Sequence, residues 1–374
     1  MAKFDRYMLS QLMWVFGFFS LVLVLVYWLN QAVSLFDQLI ANGHSALVFL
    51  EFTALSLPNV IRVVLPISAF AAAIYVTHRM AQESELVVVQ ATGYSPARMA
   101  WPVLVFGVIV ALMMSVLSHL LVPASLTQLT DRTAEISENA TARLLKDGEF
   151  LHPSDGVTFY IREISPEGEL RDIFLADARK PGERTSYTAE RALLLRSDTG
   201  PKLLMFQGML QSFDLKSRQL AITRFSEFAF DVGALVDLPR SGPRRIKQVS
   251  TAELLSPDAA LVAEIGQSAP VLLYDGHARF TEALIGMVTP LVGFAVLLMG
   301  GFSRFGIWKQ VVGAVLCLIV IQLFDNAVTD VARPKGLWPL AYTPALLGAV
   351  MAGTFLWIAA HPALFRRRAR VVVR

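Results

Sequence analysis

Two places in this chain put ionisable side chains where they could do chemistry. One is Arg62, the single charge in an apolar run covering residues 52–77. An arginine at the centre of a membrane helix costs about 2.5–3.5 kcal/mol on insertion scales, so it faces a cavity or a partner. A guanidinium can hold two phosphate oxygens at once. Equally, Arg62 could snorkel outward past Pro58, or pair with Asp37, Glu51 or Asp325. The other place is residues 78–100, HRMAQESELVVVQATGYSPARMA, where Glu83 and Glu85 precede or open the run Leu86 to Val89. On a helix, residues two apart point about 200° apart, so only one of these carboxylates could face a given partner. The β-branched stretch favours a strand by propensity, and a solvated acidic face is the alternative to a contact through Glu85.

The chemistry that is missing narrows the class. The sequence has no G-x-x-x-x-G-K-[ST] loop and no Gly-Lys pair, and neither G-x-S-x-G nor H-E-x-x-H occurs. Cys317 is the only cysteine, which excludes an intrachain disulfide and a multi-thiolate metal site; the six histidines are scattered. No cofactor and no catalytic activity are expected. Arg366, Arg367, Arg368 and Arg370 directly follow an apolar run, where they read as an anchor facing anionic lipid rather than as a nucleic-acid site.

Membrane helices must position these groups. The chain of 374 residues is 55% hydrophobic and 17% charged, whereas soluble domains run to about 45–50% apolar with glycine included and about 25% charged. Six stretches, 7–36, 52–77, 99–122, 283–303, 310–324 and 337–360, can cross a hydrocarbon core about 30 Å thick, the fifth by extending through Trp308 and Asn326. All six tryptophans lie in or beside these stretches, as interfacial belts require. Lys3, Arg6, Arg79, Arg98, Arg304, Lys309 and the arginine-rich tail share one side, against Arg333 and Lys335 in the opposite short loops. Basic residues are retained in the cytoplasm. Both termini are therefore expected there, with residues 123–277 outside, between a first part at 1–122 and a last at 278–374.

The inserted segment differs in texture. It holds 18 Lys/Arg and 22 Asp/Glu, a net −4, while the remainder carries +7. A charged helix is expected over 131–146. Beyond it, turn signals at Pro153–Gly156, Pro166–Gly168, Pro181-Gly182 and Asp198–Pro201 separate the alternating segments 157–164, 173–178, 203–208 and 220–230. Short strands at this spacing suggest a sandwich or open barrel. Residues 241–247 read as a linker. Ser250 to Glu253 resembles a capping box opening a short helix, which residues 259–265 continue beyond Pro257.

The segment from Arg79 to Ser95 resembles the stretch after the second helix in lipopolysaccharide-export permeases, the LptF/LptG family. Asp5-Arg6-Tyr7 and the stretch from Leu57-Pro58 to Leu65-Pro66-Ile67 are closer to the LptF half. The topology agrees over nearly the whole chain. The resemblance implies a polytopic α-helical membrane protein of six transmembrane helices, three plus three, with an inserted all-β periplasmic domain of β-jellyroll type. It implies a non-catalytic permease subunit that pairs with a second homologous permease on a cytoplasmic ATPase dimer. The pair extracts lipopolysaccharide from the inner membrane and passes it to a periplasmic jellyroll protein of the export bridge.

The resemblance also implies a coupling helix at about 78–95, presenting Glu83, Glu85, Leu86, Val89 and Gly93 to the ATPase, with Glu85 at the family's acidic position. Phe19, Leu23, Val26, Ile67 and Phe70 could meet acyl chains beside Arg62, although bulk lipid is the default neighbour of any such face. The family commonly has basic residues near the outer end of the first helix; this chain has Asn30, Gln31 and Asp37 there. Two other readings remain open: a lipoprotein-release permease, which tends to place its external domain after the first of four helices, and a membrane-anchored receptor or scaffold with a binding domain of β type.

Overall fold

A chain inside hydrocarbon finds no water for its backbone N–H and C=O groups, so apolar runs close their own hydrogen bonds as helices. The computed structural model describes residues 3–40, 46–143, 148–152, 156–165, 168–180, 182–197, 200–215, 217–231, 244–299 and 308–361. Six described helical stretches are long and apolar enough to cross a membrane: Lys3–Val33, Leu47–Gln82, Pro96–Thr133, Ala269–Met299, Trp308–Ala332 and Trp338–Ala360. They lie within α1 (Lys3–Ile40), α2 (Ala46–Gln82), α4 (Pro96–Val116) joined through a π-helical turn (Leu117–Leu121) to α5 (Val122–Arg143), α8 (Ala269–Met299), α9 (Trp308–Ala332), and a 3-10 turn (Trp338–Tyr342) running into α10 (Thr343–Ala360). Helix α8 starts well before the 283 expected from composition, and α9 runs on past 324. Each carries polar residues that the surrounding bundle accommodates.

The helical bundle is built around α8. Val288, Val292, Val296 and Leu297 pack with Phe70 of α2, Ala314 and Ile321 of α9, and Ala352 of α10. A second cluster joins Met8, Leu12 and Phe16 of α1 to Leu65, Ala69, Val76 and Met80 of α2, Met99, Val103 and Phe106 of α4, and Phe294 of α8. Small residues set these distances, as expected where helices gain from close approach rather than from leaving water. Gly107 of α4 faces the Met287 backbone, and Gly348 of α10 faces Val288.

Two short helices follow the inserted segment. Ser250 caps α6 (Thr251–Leu255), its hydroxyl accepting from the Glu253 N–H at 3.3 Å; Asp258 caps α7 (Ala259–Ile265) by accepting from the Leu261 N–H at 2.8 Å. Arg244 grips α7 from outside, its Nε and Nη2 donating to Glu264 at 2.7 and 2.8 Å. That hydrogen bond holds the Glu264 carboxyl below its ordinary range. A depressed carboxyl contributes stability above its unfolded value, about 4.3, and loses it as pH falls through the folded value. Protection of the α7 amides in the full chain is therefore expected to hold between about pH 7 and pH 5 and to fall below about pH 4. In Glu264→Gln the protection should start lower and lose this acid step. Hydrogen exchange followed by mass spectrometry reads both.

The chain separates into two compact units, Met1–Leu129 with Pro243–Arg374, and Thr130–Gly242. The inserted unit is thus narrower than the 123–277 segment: residues 123–129 and 244–277 group with the helices. Its strands are β1 (Phe150–Leu151), β2 (Val157–Ile164), β3 (Leu170–Asp177), β4 (Glu183–Ser197), β5 (Gly200–Asp214) and β6 (Gln219–Asp231). They form one antiparallel sheet in the order β1-β2-β3-β4-β5-β6. Val157, Phe159 and Ile161 alternate along β2 into a core with Ile173, Leu175, Ala192, Leu203 and Met205. Strand β4, ERTSYTAERALLLRS, was not among the segments expected: its Ala, Glu, Arg and Leu favour helix intrinsically. It pairs with β3 on one side and along its whole length with β5 on the other; such pairing overrides residue preference. The arginine tail, Arg304, parts of the four turn signals and residues 241–243 lie outside the described residues.

Candidate functional site

The bend between α2 and α4 is not one helix over 78–95. Helix α2 ends at Gln82, Ser84 takes a left-handed conformation at φ 62°, and a separate helix, α3 (Glu85–Ala91), follows. Gly93 then turns the chain at φ 92°, a conformation that favours glycine, before Ser95 caps α4 by accepting from the Arg98 N–H at 3.2 Å. The interruption at Ser84 removes the premise that Glu83 and Glu85 share a helical wheel. Glu83 is exposed and reaches back to Arg79 at 3.7 Å. Glu85 opens α3 and accepts from the Tyr7 hydroxyl at 3.1 Å.

Residues 86–89 are helical despite their β-branched content, because α3 is held from within the chain. Leu86 is buried and Val89 packs against the same core, while Val87 and Val88 face outward, Val88 62% exposed. Beside them, Asp5 of α1 is 1% exposed and takes a 2.9 Å bond from Arg98. Phe4 meets Tyr94 edge-on at 6.1 Å.

Arg62 lies 20 residues from Gln82 along α2, about 30 Å by helical rise, near the middle of the Leu47–Gln82 stretch. Its partner is Glu282 of α8, none of the three acids considered from sequence: Nη1 donates to Oε2 at 3.0 Å and to Oε1 at 3.2 Å. A π-helical turn, Leu117–Leu121, directs Ser118 to the same carboxylate at 3.4 Å. The arginine side chain is 15% exposed and the glutamate 41%, so the pair has a buried and an open side. One such pair offsets much of the desolvation that either charge alone would suffer.

Other polar bridges brace this end of the bundle. Arg279 of α8, 7% exposed, donates to Thr251 Oγ1 and the Val249 carbonyl at 2.8 Å each and to the Ile246 carbonyl at 3.1 Å. Arg333 forks onto Asp275 at 2.8 and 3.0 Å, and His277 stacks on Trp338 with centroids 4.2 Å apart. Glu282 is five residues further along α8 than His277, about 7.5 Å by helical rise.

The apolar candidates divide. Val26 and Ile67 are more than half exposed. Phe19 is partly covered and meets Tyr75 edge-on at 6.1 Å; Leu23 is half-buried. Phe70 is buried, its ring against Gly293 of α8, and offers no surface to a lipid.

A family model described as "Lipopolysaccharide export system permease LptF/LptG" matches residues 6–359. The chain belongs to the LptF/LptG family. An uncharacterised protein of Rickettsia prowazekii (strain Madrid E) is 20% identical over 361 residues, 96% of this chain and 99% of its own length. The lipopolysaccharide export system permease protein LptF of Escherichia coli (strain K12) is 22% identical over 215 residues, 57% of this chain and 59% of its own. The LptF protein of Shigella flexneri matches to the same extent.

Within this LptF/LptG chain, sequence reasoning passed over Tyr7, Arg98, Ser118, Glu282 and Arg279 as site residues. Glu282 had a legible signal: it is an acid directly before an apolar run, and helix α8 already includes it. The π-helical turn that aims Ser118 had none.

Proposed function

We propose that this LptF/LptG-family chain is the LptF-like permease half of an ABC transporter that extracts lipopolysaccharide from the bacterial inner membrane. In this reading both termini are cytoplasmic and the 123–277 segment is periplasmic. The chain pairs with a second homologous permease, and a separate ATPase dimer supplies the work, since a lipid passing between apolar surroundings gains little by itself. The observation that carries the proposal is α3: a short helix set between two candidate spans, turned out by Ser84 and Gly93, with Val87 and Val88 bare at its surface. A groove on an ATPase subunit would cover them.

At the other end, Arg62 is the phosphate contact in this reading, in competition with Glu282. In this reading the β unit serves as a jellyroll-type module, and β6, exposed along most of its length at the edge of the described sheet, is the strand to which a periplasmic jellyroll protein of the bridge would add its own.

Co-expression with the homologous permease and the ATPase from the same genome, followed by purification in detergent, tests the assembly. A stable complex that transfers lipopolysaccharide from proteoliposomes to the bridge protein on ATP addition is expected. A purified chain that retains no ATPase overturns the reading and favours a receptor or scaffold. For the lipid site, Glu282→Gln frees the guanidinium and should tighten binding of phosphorylated lipid A about tenfold while leaving dephosphorylated lipid A unchanged. Equal effects on both lipids remove the phosphate role.

A further inference from the structure

The first turns of α1 touch the bend and the two helices it joins. Tyr7 donates to Glu85, the first residue of α3, at 3.1 Å. Asp5 bonds Arg98, in the first turn of α4, at 2.9 Å, and Phe4 meets Tyr94, between α3 and α4. Met8 and Leu12, fully buried, share a core with Met80, Leu86 and Met99. A carboxylate as buried as that of Asp5 is costly to leave unpaired, and breaking such a pair is strongly unfavourable. The base of α1 and the bend therefore move together more cheaply than apart.

Further along, α1 is less buried. Asp5, Met8, Leu12 and Phe16 form one buried face, and after Phe16 the next buried residue is Ala32. A helix of 38 residues is about 57 Å long, so tilting its base by about 5° displaces the far end by about 5 Å. We propose that Asp5 and Tyr7 are positioning residues that convert displacement of α3 into tilt of α1, so that α1 is the arm by which the chain acts on its lipid. This rests on the reading that α3 docks on an ATPase.

The test uses the complete complex with its ATPase and partner permease, with spin labels at the far ends of α1 and α8. Wild type is expected to change the label distance between nucleotide-free and ATP-trapped states. Tyr7→Phe removes one hydroxyl and leaves the ring; Asp5→Asn keeps the shape and removes the charge. Both should retain the ATPase and its turnover, lose most of the distance change, and transfer at least about fivefold less lipid per ATP, the scale of an ordinary coupling energy. Should Asp5→Asn fail to assemble, Tyr7→Phe alone decides. Wild-type distance change and lipid yield in Tyr7→Phe overturn the inference. A wild-type complex without ATPase instead overturns the reading beneath it.

Discussion

Gly107→Leu is expected to abolish the folded helical bundle, and even Gly107→Ala to lower its stability. A Cβ built at Gly107 falls 2.5 Å from the Met287 carbonyl oxygen and 3.2 Å from Met287 Cγ. The nearer atom is backbone, so no side-chain rotation relieves the clash; α4 and α8 must separate. Replacing glycine by alanine inside a helix returns about 1 kcal/mol of propensity, whereas overpacking costs about 1–3 kcal/mol and more for larger groups. The contact therefore wins, and Gly107→Ala should melt below wild type in detergent. Gly107→Leu should elute as aggregate or fail to express. Gly353 of α10 provides the control, since a Cβ there meets nothing within 4 Å; Gly353→Leu should melt like wild type. If Gly107→Leu melts with it, the α4–α8 approach is not the constraint described.

On the proposed docking of α3, Val88→Asp is expected to strip the ATPase from the purified complex while leaving the chain folded. Val88 is 62% exposed and so has little to lose in the isolated chain. Fully covering a valine contributes about 1.5–3 kcal/mol; placing a carboxylate under the same cover forfeits that and adds a desolvation cost of several kcal/mol. A loss of more than about 100-fold in affinity follows. Leu86→Asp would be a poorer probe, because Leu86 is buried against α1, α2 and α4 and its loss would disturb folding directly. Copurification at wild-type stoichiometry in Val88→Asp would move the docking surface away from α3.

The same contrast separates what could be read from residue order from what could not. Six apolar runs, the segment between the third and fourth, the cap at Ser250, and strands β2 and β6 follow from patterns of neighbouring residues: continuous apolarity, alternation, a hydroxyl ahead of a helix. Such patterns are local, and the backbone answers them locally. Strand β4 escaped because its residues prefer helix and only pairing on both sides makes it extended. The bend at 82–96 was legible as a bend, but one residue, Ser84, in a left-handed conformation divides it and sends Glu83 and Glu85 to different neighbours.

By itself, then, the sequence determined the class of the protein and the places where charge had to be accounted for, since burying an arginine or leaving a backbone unsatisfied in hydrocarbon is costly in any fold. Which partner settles each charge was decided only by tertiary structure. Arg62 meets Glu282 across 220 residues, Arg98 meets Asp5 across 93, and Tyr7 meets Glu85 across 78. An ion pair is fixed by distance in space, and no spacing along the chain encodes the crossing of α2 with α8 or of α1 with the bend. Those crossings are set by how glycines and buried side chains interlock.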